Sequence, residues 1–137
     1  MFRHVGIVVH NLEQQLKFYK DLLGLEIYYN KIEQGLYLEK LLGFKDASAN
    51  IYKLGKNNKV IVELLHFNNK LFNVKNINER GITHFALTVE NLDFIYENMI
   101  QQNVAFISEP IVTEDNKHKV CFCKDYEDNF IELVEVL

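Results

Sequence analysis

The sequence lacks any apolar run long enough to cross a membrane, and nothing resembling a signal peptide precedes its first strand pattern. A cytoplasmic protein with no membrane partner is expected. It also lacks a basic excess. Its 15 Lys and Arg stand against 19 Asp and Glu, a formal net charge of −4, which argues against nucleic acid as a partner, because phosphates call for a basic face. Cysteine is scarce: there are only Cys121 and Cys123. Two apart on a strand, they point to the same side, poorly placed to bridge each other and without the spacing of a zinc knuckle. Small buried strand residues are expected there. With 137 residues, 48% hydrophobic and 25% charged, the chain has the composition of an ordinary globular domain with a sizeable core.

What the sequence does contain is a repeat. His84-Phe-Ala-Leu-Thr-Val-Glu-Asn-Leu92 matches His4-Val-Gly-Ile-Val-Val-His-Asn-Leu12 at His4/His84, Ile7/Leu87, Val9/Val89, Asn11/Asn91 and Leu12/Leu92, 80 positions apart. Each copy alternates like a strand with one apolar face. Asn11 and Asn91 are each placed to cap a following helix. A second pair of strands repeats as well: Ile61-Val-Glu-Leu-Leu65 and Phe130-Ile-Glu-Leu-Val134 each carry one central carboxylate.

The pattern predicts strand, helix and three strands in each half. In the first half the helix runs from Asn11 to about Leu23, with Leu12, Leu16, Tyr19 and Leu23 on one face and Gly24 as its stop. Strands follow at about 25–33, 49–54 and 59–67, the last two joined by the turn composition Gly55-Lys56-Asn57-Asn58. Residues 35–44 interrupt the repeat and read as a short amphipathic helix or ordered loop with a local task. In the second half the helix runs from Leu92 to about Gln102, with Leu92, Ile95, Tyr96 and Met99 inward and Asn103 in the role of Gly24. Strands are expected at 104–108, 118–124 and 129–136, with 110–116 as a polar turn. The organisation is one domain, 1–137, made of module one (1–67), a linker (68–80) and module two (81–137).

Each half then makes a curved four-stranded sheet with its helix on one face. His4, Gly6 and Val8 share the other face, where Gly6 and its counterpart Ala86 leave room. If Glu63 and Glu132 face the same way, two carboxylates sit in an apolar cup, costly unless compensated. Two imidazoles and a divalent cation resolve that cost, with His4, Glu63, His84 and Glu132 as ligands. For any one of the four, a solvated strand residue is the simpler explanation; their recurrence in register argues for the metal. Zinc is the first candidate, with nickel, cobalt or manganese also suited. His10, His66 and His118 read as surface polar residues, as do Arg3 and Arg80.

The chain resembles the vicinal oxygen chelate superfamily, which includes glyoxalase I, methylmalonyl-CoA epimerase, extradiol dioxygenases, and fosfomycin- and bleomycin-resistance proteins. The resemblance rests on His4-Val-Gly-Ile-Val-Val, Lys17-Phe-Tyr-Lys-Asp-Leu-Leu-Gly-Leu25, Ile61-Val-Glu-Leu-Leu65, His84-Phe-Ala-Leu-Thr-Val-Glu-Asn91 and Lys124-Asp-Tyr-Glu-Asp-Asn-Phe-Ile-Glu-Leu-Val134. It implies an α+β fold of two βαβββ modules and places the family's four ligand positions on His4, Glu63, His84 and Glu132. The His, Glu, His, Glu set is similar to bacterial glyoxalase I. It further implies a homodimer, a small-molecule substrate, and a lyase or isomerase that abstracts a proton next to a metal-chelated carbonyl, with Glu132 as first candidate base and Glu63 as second. Val8 and Phe67 stand where glyoxalase I has an Arg and an Asn that hold glutathione. The alternatives are an epimerase-like or dioxygenase-like metalloenzyme, or a non-catalytic protein that binds a small ligand.

Overall fold

The computed structural model describes residues 2–68, 77–78 and 80–137. The chain divides into two compact units, Met1–Phe72 and Asn73–Leu137. Most of the expected linker lies outside the described residues.

In the first unit, β1 (Val5–Val8) leads through α1 (Leu12–Leu16) and a π-helical continuation (Lys17–Leu22) to β2 (Glu26–Gln34), α2 (Leu36–Leu42), β3 (Ser48–Lys56) and β4 (Lys59–Phe67). The sheet order is β1-β4-β3-β2, with β1 parallel to β4 and the other pairs antiparallel. The second unit repeats this arrangement. Its β5 (His84–Thr88), α3 (Leu92–Gln101), β6 (Ile111–Val112), β7 (His118–Lys124) and β8 (Phe130–Val136) form a sheet of order β5-β8-β7-β6. Each unit is therefore a βαβββ module. The crossover leaves the first strand, which His4 precedes in one unit and His84 opens in the other, beside the Glu-bearing last strand in both.

The caps form as the Asn repeat predicts. Asn11 Oδ1 accepts the Gln14 amide at 3.1 Å and Asn91 Oδ1 accepts the Phe94 amide at 3.0 Å. Each thereby satisfies one of the amides that a helix start leaves without a partner. Asn103 takes the left-handed conformation, with φ 60°, as Gly24 does with φ 68°.

The first helix departs from the expected face. After Leu16 it widens, and the Leu23 amide donates to the Phe18 carbonyl five residues back at 3.1 Å. A π turn breaks the three-and-four spacing. Gln15, Phe18 and Tyr19 are buried, while Leu12, Leu16 and Leu23 are only partly covered. In α3, Leu92 and Met99 are buried as expected, with Ile95 and Tyr96 partly so.

Residues 35–44 do contain a helix, ended by Gly43 at φ 79°. Its Leu38 packs in a cluster with Ala47, Ala49, Ile51 and Phe67. The inserted segment thus covers one end of the first sheet. In the second unit the strand expected at 104–108 is reduced to a single bridge between Phe106 and Cys123, and Ile111–Val112, inside the expected turn, pairs with β7 instead. Pro110, which has no amide hydrogen to donate to a ladder, stands between the two. Among the described residues, no helix is long and apolar enough to cross a membrane.

Candidate metal centre

Two features of the β1–β4 pair place the first histidine and glutamate together. Gly6 stands opposite Glu63 in the parallel register. His4, two residues earlier, shares the Gly6 face and reaches diagonally across to the carboxylate. His4 Nε2 lies 3.2 Å from Glu63 Oε2, with the two side chains 25% and 16% exposed. The neighbours of Glu63 in its own strand, Val62 and Leu64, point the other way and are buried. Glu63 therefore leaves the sheet on the side away from this core.

The second unit builds the same relation from the same register. Ala86 stands opposite Glu132, and His84, two residues earlier, brings Nε2 to 3.6 Å from Glu132 Oε2. The other ring nitrogen, Nδ1, lies 3.0 Å from the Thr83 hydroxyl. That contact fixes the ring orientation, as partners of ligating imidazoles do. The His84 ring also meets Phe122 edge-on at 4.9 Å.

Small residues beside the carboxylates keep this face open. A Cβ at Gly6 would lie 3.9 Å from Glu63 Oε2 and 3.4 Å from Leu65 Cδ1. A methyl group is accommodated, which is what Ala86 carries in the second module. A longer side chain would extend toward the carboxylate.

The donor chemistry fits a divalent cation. Two ligand atoms each about 2.1 Å from one ion, at roughly 90–110°, stand about 3.0–3.4 Å apart. The His4–Glu63 separation of 3.2 Å falls within that spacing and the His84–Glu132 separation of 3.6 Å lies just above it. Among the described residues, each unit gathers one such pair and no group of three or more His, Cys, Asp or Glu side chains.

The sequence reading missed Lys53. It stands opposite Glu63 on β3, with Nζ 3.2 Å from Glu63 Oε1 and 5.1 Å from the centre of the Tyr29 ring. The Tyr29 hydroxyl donates to Glu33 Oε1 at 2.6 Å. That hydrogen bond, together with desolvation and the charges of Glu33 and Glu63, holds the Tyr29 pKa above its ordinary value. The signal that places Lys53 is a β-bulge. A regular hairpin around Asn57-Asn58 would set Lys53 against Val62, on the buried face. The irregularity between Leu54 and Gly55 shifts the ladder by one residue and sets it against Glu63.

The remaining candidates lie elsewhere. His10 is exposed, and His66 stands opposite Asn50, on the other side of β4 from Glu63. His118 is half-buried at the start of β7, while Arg3 and Arg80 are exposed. Both cysteines are free and buried, and burial pushes their thiols up to about 11 for Cys121 and about 12 for Cys123. Phe67 is buried against the inserted helix, with its ring meeting Phe44 at 5.9 Å. Val8 is 55% exposed.

Comparison with known proteins places the chain in a family. Residues 3–122 match the model of the Glyoxalase/Bleomycin resistance protein/Dioxygenase superfamily. No protein of curated function matches the sequence. Among solved structures, a glyoxalase family protein from Bacillus cereus superposes with a TM-score of 0.88 at 20% identity, over 99% of this chain and 93% of the other. The trypanothione-dependent glyoxalase I of Leishmania major gives 0.66 at 20% identity, over 98% of this chain and 86% of the other. A fosfomycin resistance protein from Listeria monocytogenes gives 0.67 at 12% identity, over 100% and 94%. At these identities the neighbours establish the fold, the α+β pairing of βαβββ modules. With most of its length matched by the family model, the chain belongs to the Glyoxalase/Bleomycin resistance protein/Dioxygenase superfamily, within the vicinal oxygen chelate fold.

Proposed function

We propose that the protein is a metal-dependent enzyme of glyoxalase type, a lyase or isomerase that abstracts a proton next to the carbonyl of a small substrate. The observation that carries this reading is the repeated His–Glu pair, set at ligand spacing by the same strand register in both modules. His4 and Glu63 from module one, and His84 and Glu132 from module two, would hold one divalent ion. Zinc is the first candidate; nickel, cobalt or manganese suit a six-coordinate site. When bound, the ion supplies Lewis-acid polarisation of the substrate carbonyl.

The chain's own groups do the rest. A carboxylate oxygen of Glu132, or of Glu63, accepts the proton. Gly6 and Ala86 leave space beside those oxygens for the carbon that loses it. His84, oriented through Thr83, keeps Nε2 directed at Glu132.

Val8 and Phe67 favour a substrate other than a glutathione adduct. Val8 offers no charge, and Phe67 is committed to the cluster around Leu38. An epimerase-like reaction on an acyl thioester is therefore the second reading. The protein is expected to work as a homodimer in the cytoplasm, with the site completed either within one chain or between two, since each module supplies only half of the ligand set.

The test is solvent exchange. The metal-loaded protein is incubated in D2O with 2-oxoaldehyde hemithioacetals and with 2-methyl-branched acyl thioesters, with and without chelator. Chelator-sensitive deuterium incorporation next to the carbonyl of one class supports the proposal. No incorporation into any of them, by protein that holds the metal, contradicts it and leaves a ligand-binding protein.

A further inference from the structure

The two half-sites are alike in their His and Glu but differ in what flanks the carboxylate. Opposite Glu132 stands Phe122, an apolar ring. Opposite Glu63 stands Lys53, whose ammonium lies 3.2 Å from Oε1, while His4 takes Oε2. Both oxygens of Glu63 therefore already face a nitrogen, and one of these is a permanent cation. Lys53 is held there from two sides. The bulge at Gly55 sets its register, and the Tyr29 face lies beneath its charge, an arrangement that stabilises an ammonium. With a third of its side chain exposed, Lys53 also has a route away from the carboxylate.

We propose that Lys53 is a positioning residue that competes with the metal ion for Glu63. This makes the carboxylate of module one the weak, exchangeable ligand and leaves His4, His84 and Glu132 to carry most of the affinity. The inference rests on the metal reading above. Two cations cannot both approach one carboxylate closely without mutual repulsion. The ion therefore gains Glu63 only against the repulsion of the ammonium on Oε1, and the ammonium holds Glu63 when the ion lets go. No such competitor stands opposite Glu132. Lys53 thus points to Glu63, rather than Glu132, as the carboxylate free to leave the ion and meet the substrate.

The experiment measures zinc and nickel dissociation constants by competition with a chromophoric chelator. It uses the wild-type chain, Lys53→Met, Lys53→Arg, Glu63→Gln, Glu132→Gln and the double variant Lys53→Met/Glu63→Gln. Removing a partly exposed competing charge is expected to tighten binding about five-fold in Lys53→Met, while Lys53→Arg, which restores the cation, stays within about two-fold of wild type. Glu63→Gln is expected to weaken binding less than about ten-fold and Glu132→Gln more than about a hundred-fold. In the Glu63→Gln background, Lys53→Met is expected to change nothing, which a general packing role for Lys53 would not predict. Binding that depends on Glu132 yet is indifferent to Lys53→Met, or tightened by it equally without Glu63, overturns the Lys53 inference alone. Failure of the wild-type chain and of every variant to bind either metal overturns it together with the metal reading.

Discussion

Lys53 and Phe122 occupy the same place in the two modules: each stands directly across an antiparallel strand pair from the carboxylate that the repeat provides, Glu63 for one and Glu132 for the other. The modules share topology, caps and the His–Glu register, and diverge where one carboxylate meets a charge and the other an aromatic ring. That divergence depends on one glycine. A Cβ at Gly55 would lie 1.8 Å from the Lys59 carbonyl oxygen, so the bulge that carries Lys53 to Glu63 accepts no side chain without moving its partner strand.

Gly55→Ala is accordingly expected to destabilise the protein by about 1–3 kcal/mol, the usual range for forcing atoms into a filled space. Chemical denaturation read by far-ultraviolet dichroism checks this. An unchanged midpoint would mean that the hairpin relaxes freely and that the bulge does not fix the register. Gly6→Ala, which Ala86 already exemplifies in the other module, is expected to be nearly neutral by the same measurement.

The two thiols give a pH prediction. Their folded pKa values, about 11 for Cys121 and about 12 for Cys123, lie above the ordinary 9.0, chiefly through desolvation. Below pH 9 folded and unfolded chains both keep these protons, and the stabilising difference is fully present. Above pH 9 the unfolded chain releases them first, so stability falls as pH rises from about 9 toward 12. Replacing both cysteines with Ala is expected to flatten the alkaline limb of the stability curve. At pH 8 neither thiol of the folded protein is expected to react with a thiol reagent within the time that denatured protein reacts at both. Rapid labelling of the native protein would contradict the burial.

Glutathione is expected to be a poor handle. With Val8 uncharged and Phe67 packed against Leu38 and Phe44, the metal-loaded protein is predicted to turn over the glutathione hemithioacetal of methylglyoxal slowly. A robust, chelator-sensitive rate on that substrate would show that other groups hold the tripeptide.

Much of the architecture was legible because it is written twice. The alternation around His4 and His84, the Asn caps and the central Glu of each last strand point to the module and to its His–Glu pairs. The misplaced features depend on tertiary context. The π turn after Leu16 moves Phe18 inward without an obvious local signal. Ile111–Val112 pairs with β7 beyond Pro110, whereas the more apolar stretch at 104–108 contributes only Phe106. Lys53 is not evident in the sequence because the hairpin register counted from Asn57-Asn58 sets it against Val62, and only the bulge between Leu54 and Gly55 sets it against Glu63.

Assembly has its own test. The chain is predicted to be a dimer by light scattering at micromolar concentration, and a monomer mass that persists with metal added would contradict this. Mixing His4→Ala and His84→Ala chains, each inactive alone, then distinguishes the two ways of completing a site. Recovery of part of the activity means that ligands come from two chains, because some mixed dimers keep one intact site. No recovery means that each site lies within one chain.

Both modules are proposed to serve a single ion. Equilibrium dialysis against zinc or nickel, followed by elemental analysis of untagged protein, tests it most directly in the wild type and in the His4→Ala and His84→Ala variants. One ion per chain is expected for wild type, with loss of nearly all of it in either variant, although the two residues belong to different modules. Retention of the full complement after either substitution, or a wild-type protein that takes up no metal, would contradict it.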